Sequence, residues 1–219
     1  MRALARNNAI TIVIGAMFIV ALAGQTLTGW SVYNDDQQEH GEQPVGIAEY
    51  VTTGHFGEAV FENFESEFLQ MGLFVLLTVF LRQKGSSESK KLEGEEEVDR
   101  EPDPNRPGAP WAVRLGGPVL TVYRHSLTIA LLTLFAISFV LHAITGSAEY
   151  SAEQLVHGGA AVSALGYMAT SQFWFESFQN WQSEFMSIVA LTVLAIFLRQ
   201  QGSPESKPVD APNAETGSA

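Results

Sequence analysis

The sequence contains no cysteine among its 219 residues, which excludes disulfides, thiolate metal sites, cysteine nucleophiles and CxxC redox pairs. Basic residues are scarce too: 12 Lys and Arg stand against 24 Asp and Glu, a formal charge of −12. This acidic balance argues against a nucleic-acid partner. P-loop, GxGxxG, GxSxG and HExxH motifs are also missing, so nothing supports an enzyme and no cofactor is expected.

An internal repeat runs through most of the chain. Residues 7–90 align with residues 124–207 at an offset of 117 without a gap, and 28 of the 84 pairs are identical. The densest agreement lies in two pairs of segments: FENFESEF (61–68) with FQNWQSEF (178–185), and FLRQKGSSESK (80–90) with FLRQQGSPESK (197–207). We interpret the chain as one hairpin that was duplicated.

Long apolar runs predict membrane-spanning helices, because about 20 apolar residues cross about 30 Å of hydrocarbon. Residues 9–28 and 126–145 supply the first and third spans. The second apolar run of each repeat has only 14 residues and must extend into the polar and aromatic segment before it, which gives spans at about 60–82 and 177–199. The predicted fold is an all-α integral membrane protein with four transmembrane helices, arranged as two tandem parallel two-helix repeats.

The N-terminus allows a second interpretation. MRALAR followed by an apolar run and Ala21-Leu22-Ala23 resembles a secretory signal with a cleavage site. The equivalent segment of the second repeat, 126–145, is internal and is no signal, so we interpret residues 9–28 as a retained span.

The basic residues predict the orientation, because Lys and Arg stay on the cytoplasmic side during insertion. All 12 lie before the first span, between the second and third spans, or after the fourth, and none lies in 30–57 or 146–172. Both termini should therefore be cytoplasmic in a multi-pass protein of the cytoplasmic membrane, with the lipid bilayer as a partner.

The predicted domains follow from this layout. Repeat 1 covers 1–83 with an outer loop at 30–57, and repeat 2 covers 119–201 with an outer loop at 146–172. An acidic linker (84–118) and a tail (202–219) are predicted to be disordered and cytoplasmic. In the outer loops, DDQQEHG and SAEQLVHGG are predicted to form short helices that end at glycine.

Two stripes mark the second helix of each repeat, at 100° per residue. Aromatic rings favour the lipid interface, so the polar stripe should face the bundle and bring Glu67 and Glu184 together. The polar stripe comprises Asn63, Ser66, Glu67 and Gln70, with Asn180, Ser183, Glu184 and Ser187. The aromatic stripe comprises Phe61, Phe64 and Phe68, with Phe178, Trp181 and Phe185.

Several functions fit the polar stripe. It can join helices by hydrogen bonds, in a non-enzymatic protein that associates with itself or with a larger membrane complex. It can instead line a proton, cation or small-solute pathway through Glu67 and Glu184, or lie in interfacial water. A metal or cofactor site would combine these carboxylates with His40 and His157, which match between the repeats. Histidine beside glycine is more often a helix-end feature, so no metal site is predicted.

The chain resembles an uncharacterised bacterial family of membrane proteins, a domain of unknown function, over nearly its whole length. The resemblance is carried by TGW, by the region around His40-Gly41, by GHFxEAxFENFESEFLQM and by FLRQKGSSESK. It implies bacterial origin and the four-span layout, without an activity. The second repeat departs from the pattern at Gln172, Gln179 and Gln182, where the first has His55, Glu62 and Glu65.

Overall fold

The computed structural model describes residues 6–217, and this part of the chain is helical without strands. Two pairs of long helices have the same lengths at an offset of 117: α1 and α6 contain 31 residues each, and α3 and α8 contain 27 each. The helices are α1 (Ala9–Glu39), α2 (Ile47–Tyr50), α3 (Gly54–Phe80), α4 (Trp111–Leu115), α5 (Gly117–Arg124), α6 (Ser126–Val156), α7 (Ala164–Met168) and α8 (Ser171–Phe197), with a 3₁₀ turn at Glu97–Asp99.

Three of these helices, α1, α6 and α8, are long and apolar enough to cross a membrane. The structure therefore supports an all-helical protein compatible with a membrane. Helix α3 is as long as α8 but is not among the three, because its first half carries four glutamates, Glu58, Glu62, Glu65 and Glu67. With 31 residues, α1 and α6 are each about 46 Å long. Both exceed the roughly 30 Å of hydrocarbon, so each has several polar turns beyond its apolar part.

Helices α1 and α6 both end at a His-Gly pair. Gly41 has φ +79° and Gly158 has φ +77°, a left-handed backbone that glycine adopts without a steric cost and that commonly stops a helix. The prediction that a helix ends at each of these glycines is confirmed. The prediction that DDQQEHG and SAEQLVHGG form separate short helices is wrong, because both segments form the last turns of the long helices. The separate short helices of these loops are α2 and α7.

The chain divides into two compact units. The first contains Met1–Phe61 and Val140–Trp174, and the second contains Glu62–Phe139 and Phe175–Ala219. Within the first unit, a buried tyrosine lies against a glycine of a long helix at two places 117 residues apart. Tyr50 of α2 lies against Gly29 of α1, and Tyr167 of α7 lies against Gly146 of α6. A methyl group would overlap the Tyr50 hydroxyl at Gly29 and the Tyr167 ring at Gly146, so both contacts require glycine.

Backbone groups of the first unit's loops are also bound to the long helices. The Asn34 side chain donates to the carbonyl of Val45 at 3.1 Å and accepts from its N–H at 2.7 Å. At the equivalent positions, Ser151 Oγ donates to the carbonyl of Val162 at 3.2 Å and accepts from its N–H at 2.9 Å. Because both backbone groups of each valine are paired, these contacts hold each loop against its helix.

In the second unit, α3 and α8 end at a duplicated arginine cap. Arg82 Nη1 donates to the carbonyl of Val79, and Arg199 Nη1 donates to the carbonyl of Ile196, both at 3.1 Å. A cation beside the last carbonyls of a helix is stabilised by the helix dipole. The repeated FLRQ sequence therefore acts as a helix stop.

The flexibility predicted for the linker and tail stays a prediction, although the structure gives these segments several specific contacts in the second unit. Lys207 is buried, and its ammonium donates to three carbonyls, those of Pro212 (3.2 Å), Asn213 (3.0 Å) and Glu215 (2.9 Å). The N–H of Gly217 donates to the carbonyl of Ser86 at 2.9 Å. The tail thus closes on itself around Lys207 and also contacts the segment that follows α3.

The glycine–tyrosine contacts lead to a first prediction. Gly29→Ala and Gly146→Ala should each lower the free energy of unfolding by about 1–3 kcal/mol, because the added methyl overpacks a buried ring. The measurement is the thermal unfolding midpoint of the purified protein in detergent. Gly24→Ala is the matched control, because a Cβ at this helical glycine meets nothing within 4 Å. Equal midpoints for all three variants would contradict the prediction.

Candidate functional site

Residues of the predicted polar stripe connect α3 to α8 in the second unit. Gln70 Nε2 donates to the carbonyl of Glu184 at 3.1 Å and to Ser187 Oγ at 3.0 Å. Glu67 is exposed and Glu184 is half-buried. The structure therefore brings Gln70 of one polar stripe against Glu184 and Ser187 of the other.

The other members of the polar stripe have local partners. Ser66 is buried and donates to the carbonyl of Asn63 at 2.8 Å, and Asn180 donates to the carbonyl of Glu176 at 3.0 Å. Each bond lies within one helix, as expected when short polar side chains form hydrogen bonds with the backbone of their own helix. Asn63 and Ser183 are exposed. The hydrogen bonds of Gln70 described above are the contacts through which this stripe joins α3 to α8.

The aromatic stripe is divided in the structure. Phe178 and Phe185 are exposed, as expected for an interface position, whereas Phe61, Phe64 and Phe68 are half-buried. Phe64 and Phe68 pack on each other, with ring centroids 6.2 Å apart. The rings of this stripe therefore do not share one environment.

Trp181 has a polar partner that the sequence did not reveal. Its indole Nε1 donates to Glu65 Oε1 at 2.9 Å, and its ring lies 6.4 Å from that of Phe135. Glu65 is fully buried, with 0% of its surface exposed. The periodicity placed Trp181 in the aromatic stripe and left Glu65 unassigned, because one helix alone does not indicate which residue of the next helix lies opposite.

In the first unit, the buried tyrosines contact titratable groups. Tyr50 Oη lies 3.1 Å from His55 Nδ1, and the ring of Tyr33 lies 5.5 Å from that of His55. Tyr167 Oη donates to Glu58 Oε1 at 2.8 Å. Burial lowers the pKa of His55, and the charge of Asp36 offsets part of this effect. The neutral form of His55 is therefore favoured.

His142 forms the centre of an apolar packing group in the first unit. Its side chain is fully buried, and its ring stacks on Phe173 with centroids 4.8 Å apart and planes at 25°. A ring nitrogen of His142 and a carboxylate oxygen of Glu58 lie within 4.8 Å of each other. The repeat pattern does not select His142, because the equivalent position in the first repeat is Gln25.

A cavity of about 360 Å³ lies between the last turns of α1 and α6 in the first unit. We refer to it as the acidic cavity. The backbone N–H of His55 donates to the carboxylate of Glu149 in its wall. Three carboxylates and three histidines line the cavity without any Lys or Arg, so its surface favours a cation. The lining residues are Val32, Tyr33, Asp36, Gln37, His40, His55, Glu149, Ala152, Glu153, Val156 and His157.

The two repeat-matched histidines meet at this cavity. Their ring centroids lie 6.5 Å apart in an edge-to-face arrangement. His40 Nδ1 is 3.0 Å from the carbonyl of Asp36, and His157 Nδ1 is 2.9 Å from the carbonyl of Glu153. The sequence predicted the match between the two positions but not their proximity, which depends on how the ends of α1 and α6 approach each other.

The helices and the cavity define an all-helical protein with membrane-compatible helices and an acidic, histidine-lined cavity. The chain belongs to the family described as "Domain of unknown function (DUF6766)", whose model matches residues 1–218. This confirms the resemblance to an uncharacterised family over nearly the whole chain, while bacterial origin stays a prediction. No curated protein and no solved structure matches the chain.

The environment of His55 leads to a pH prediction. Folded His55 binds a proton less readily than the unfolded side chain, whose pKa is about 6.5, so the unfolded state gains protons first as the pH falls. Stability should therefore decrease below about pH 6.5. His55→Gln, which installs the residue found at position 172, should reduce this loss in thermal unfolding measured between about pH 5 and 7.5. The control, exposed His125→Gln, should keep the wild-type slope, and an unchanged slope in His55→Gln would contradict the prediction.

Proposed function

We propose that the chain is a non-enzymatic membrane protein that crosses the bilayer four times and acts by association, with itself or with a larger membrane complex. In this proposal α3 is the fourth crossing helix, because it has the length of α8 and is joined to it by Gln70. The absence of Lys and Arg from 30–57 and 146–172 supports an orientation with both termini in the cytoplasm.

The observation that carries the proposal is the uncovered surface of α1. The most apolar stretch of 18 residues in this helix has a mean hydropathy of 2.1, and none of these residues is buried within the chain. In the equivalent helix, α6, 22% of the residues in the corresponding apolar stretch are buried. Leu131 and Ser138 are among the buried residues of this helix. Helix α1 therefore offers most of its apolar surface to lipid or to another helix, although Gln25 Nε2 donates to the carbonyl of Ala59 in α3 at 3.3 Å. Helices in lipid associate by close packing, which an uncovered helix allows.

Site-directed photocrosslinking in membranes tests this association. Because the chain has no cysteine, Val20→Cys on α1 can carry a benzophenone probe, with Ile137→Cys at the equivalent position of α6 as the matched control. Both positions are exposed, at 72% and 50%. We expect an adduct with Val20→Cys, at twice the 23.9 kDa chain mass for self-association, that is much weaker with Ile137→Cys.

The mass of the adduct identifies the kind of association. A discrete heavier adduct that forms only from Val20→Cys supports a complex with another membrane protein. Probes at Ile12, Val20 and Leu27 cover several turns of α1, so the rotation of the helix does not decide the result. Adducts with lipid alone from all three positions would contradict the proposal.

A second candidate function is a proton or cation pathway that uses Glu67 and Glu184. The observation in its favour is that Gln70, three residues after Glu67, donates to the backbone carbonyl of Glu184 at 3.1 Å, so the two glutamates belong to facing helices of one unit. Two carboxylates on facing helices within the bilayer attract protons or cations, because an unpaired charge in a membrane is energetically costly.

Flux in proteoliposomes tests this candidate. The double variant Glu67→Gln with Glu184→Gln should reduce proton or cation uptake by roughly tenfold or more, because it removes both charges while it keeps the side-chain size. Glu49→Gln, an exposed residue in another part of the chain, serves as the control and should leave uptake unchanged. Uptake that persists in the double variant excludes the two glutamates as the pathway.

A further inference from the structure

His40 and His157 are each bound to the backbone through the same nitrogen. In both rings Nδ1 lies at about 3 Å from the carbonyl of the residue four positions earlier. A carbonyl oxygen only accepts, so in the neutral ring Nδ1 carries the hydrogen and Nε2 carries the lone pair. Metal-binding histidines usually have this arrangement, in which a backbone or carboxylate acceptor fixes the tautomer and the other nitrogen binds the ion.

The separation of the two rings fits a shared ion. If two imidazoles bind one ion through Nε2 at about 2.0–2.1 Å, their ring centroids lie about 5 to 6.5 Å apart, depending on the angle at the metal. The observed separation is 6.5 Å, which corresponds to a nearly linear arrangement of the two nitrogens about the ion. For a tetrahedral angle the two rings must approach each other by about 1.4 Å, through side-chain rotation at these helix ends.

The surroundings of the pair also favour a cation. Asp36 precedes His40 by four residues and Glu153 precedes His157 by four, so each helix presents a carboxylate and an imidazole on one face. Both carboxylates line the acidic cavity, which contains no Lys or Arg. Imidazole nitrogen is a preferred donor for zinc, copper and nickel and a poor one for calcium and magnesium.

We propose that His40 and His157, one at the end of α1 and one at the end of α6, bind a divalent transition-metal ion at the acidic cavity. Their Nε2 atoms are the ligands, Asp36 and Glu153 supply the compensating charge, and water completes the coordination. This proposal is independent of the association of α1, since it concerns a different part of the first unit.

A helix-end role explains each histidine separately. A histidine in the last turn of a helix can donate to a terminal carbonyl and interact with the helix dipole. That role does not require two such residues, 117 positions apart in the sequence, to meet edge to face at one cavity. Metal binding accounts for both the tautomer and the proximity.

Metal titration of the full-length, untagged protein in lipid nanodiscs tests the proposal. After treatment with a chelator, we expect one Zn²⁺ per chain by calorimetry. With Cu²⁺, electron paramagnetic resonance should show hyperfine coupling to two imidazole nitrogens. His40→Ala and His157→Ala should each weaken Zn²⁺ binding at least tenfold and reduce the coupling to one nitrogen. His125→Ala, a matched exposed histidine outside the cavity, should bind as the wild type does.

Three results would overturn the proposal. They are no stoichiometric binding to the wild type, unchanged binding in both cavity variants, and an equal loss in His125→Ala. His40→Gln and circular dichroism separate a lost ligand from a lost fold, because both histidines are at exposed helix ends where substitution leaves the helices intact. Because the α1 crosslinks do not use these side chains, failure of the metal site and failure of the proposed association are distinguishable.

Discussion

The close contact between a tyrosine ring and a helical glycine determines the arrangement of the first unit. Tyr50 on Gly29 and Tyr167 on Gly146 bring the short helices α2 and α7 against the long helices α1 and α6. Since each tyrosine is almost completely buried, its hydroxyl needs a polar partner, which His55 and Glu58 respectively provide. Two close glycine–tyrosine contacts thus position part of the polar chemistry of this unit.

The acidic cavity combines features that are costly individually. Carboxylates that approach one another destabilise a fold through repulsion unless hydrogen bonds or a counter-ion compensate them. Glu149 receives the backbone N–H of His55, whereas Asp36 and Glu153 lie beside histidines. No Lys or Arg lines the cavity, so its histidines are the basic side chains beside these carboxylates.

The sequence predicted the features that depend on one helix at a time. The apolar runs 9–28 and 126–145 correctly located where α1 and α6 begin, and a left-handed glycine follows the end of each helix, because composition and glycine act locally. The runs did not locate the ends of these helices, which continue to Glu39 and Val156. Contacts between helices were harder to predict from the sequence. The pairing of Glu65 with Trp181 and the contact of Tyr50 with Gly29 depend on the rotation of one helix against another, which periodicity within a single helix does not determine. The expected short helices failed for a related reason: polar residues continue a helix when its last turns leave the apolar region.

The buried ammonium of Lys207 has a further consequence for the tail. Three carbonyl oxygens converge on it, as they would on a metal ion in a cation-binding loop. The cation is here part of the chain itself, so this turn needs no bound calcium or sodium ion to bring its carbonyls together. Acetylation of this amine would remove the charge that draws the three carbonyls together, and the turn would be destabilised.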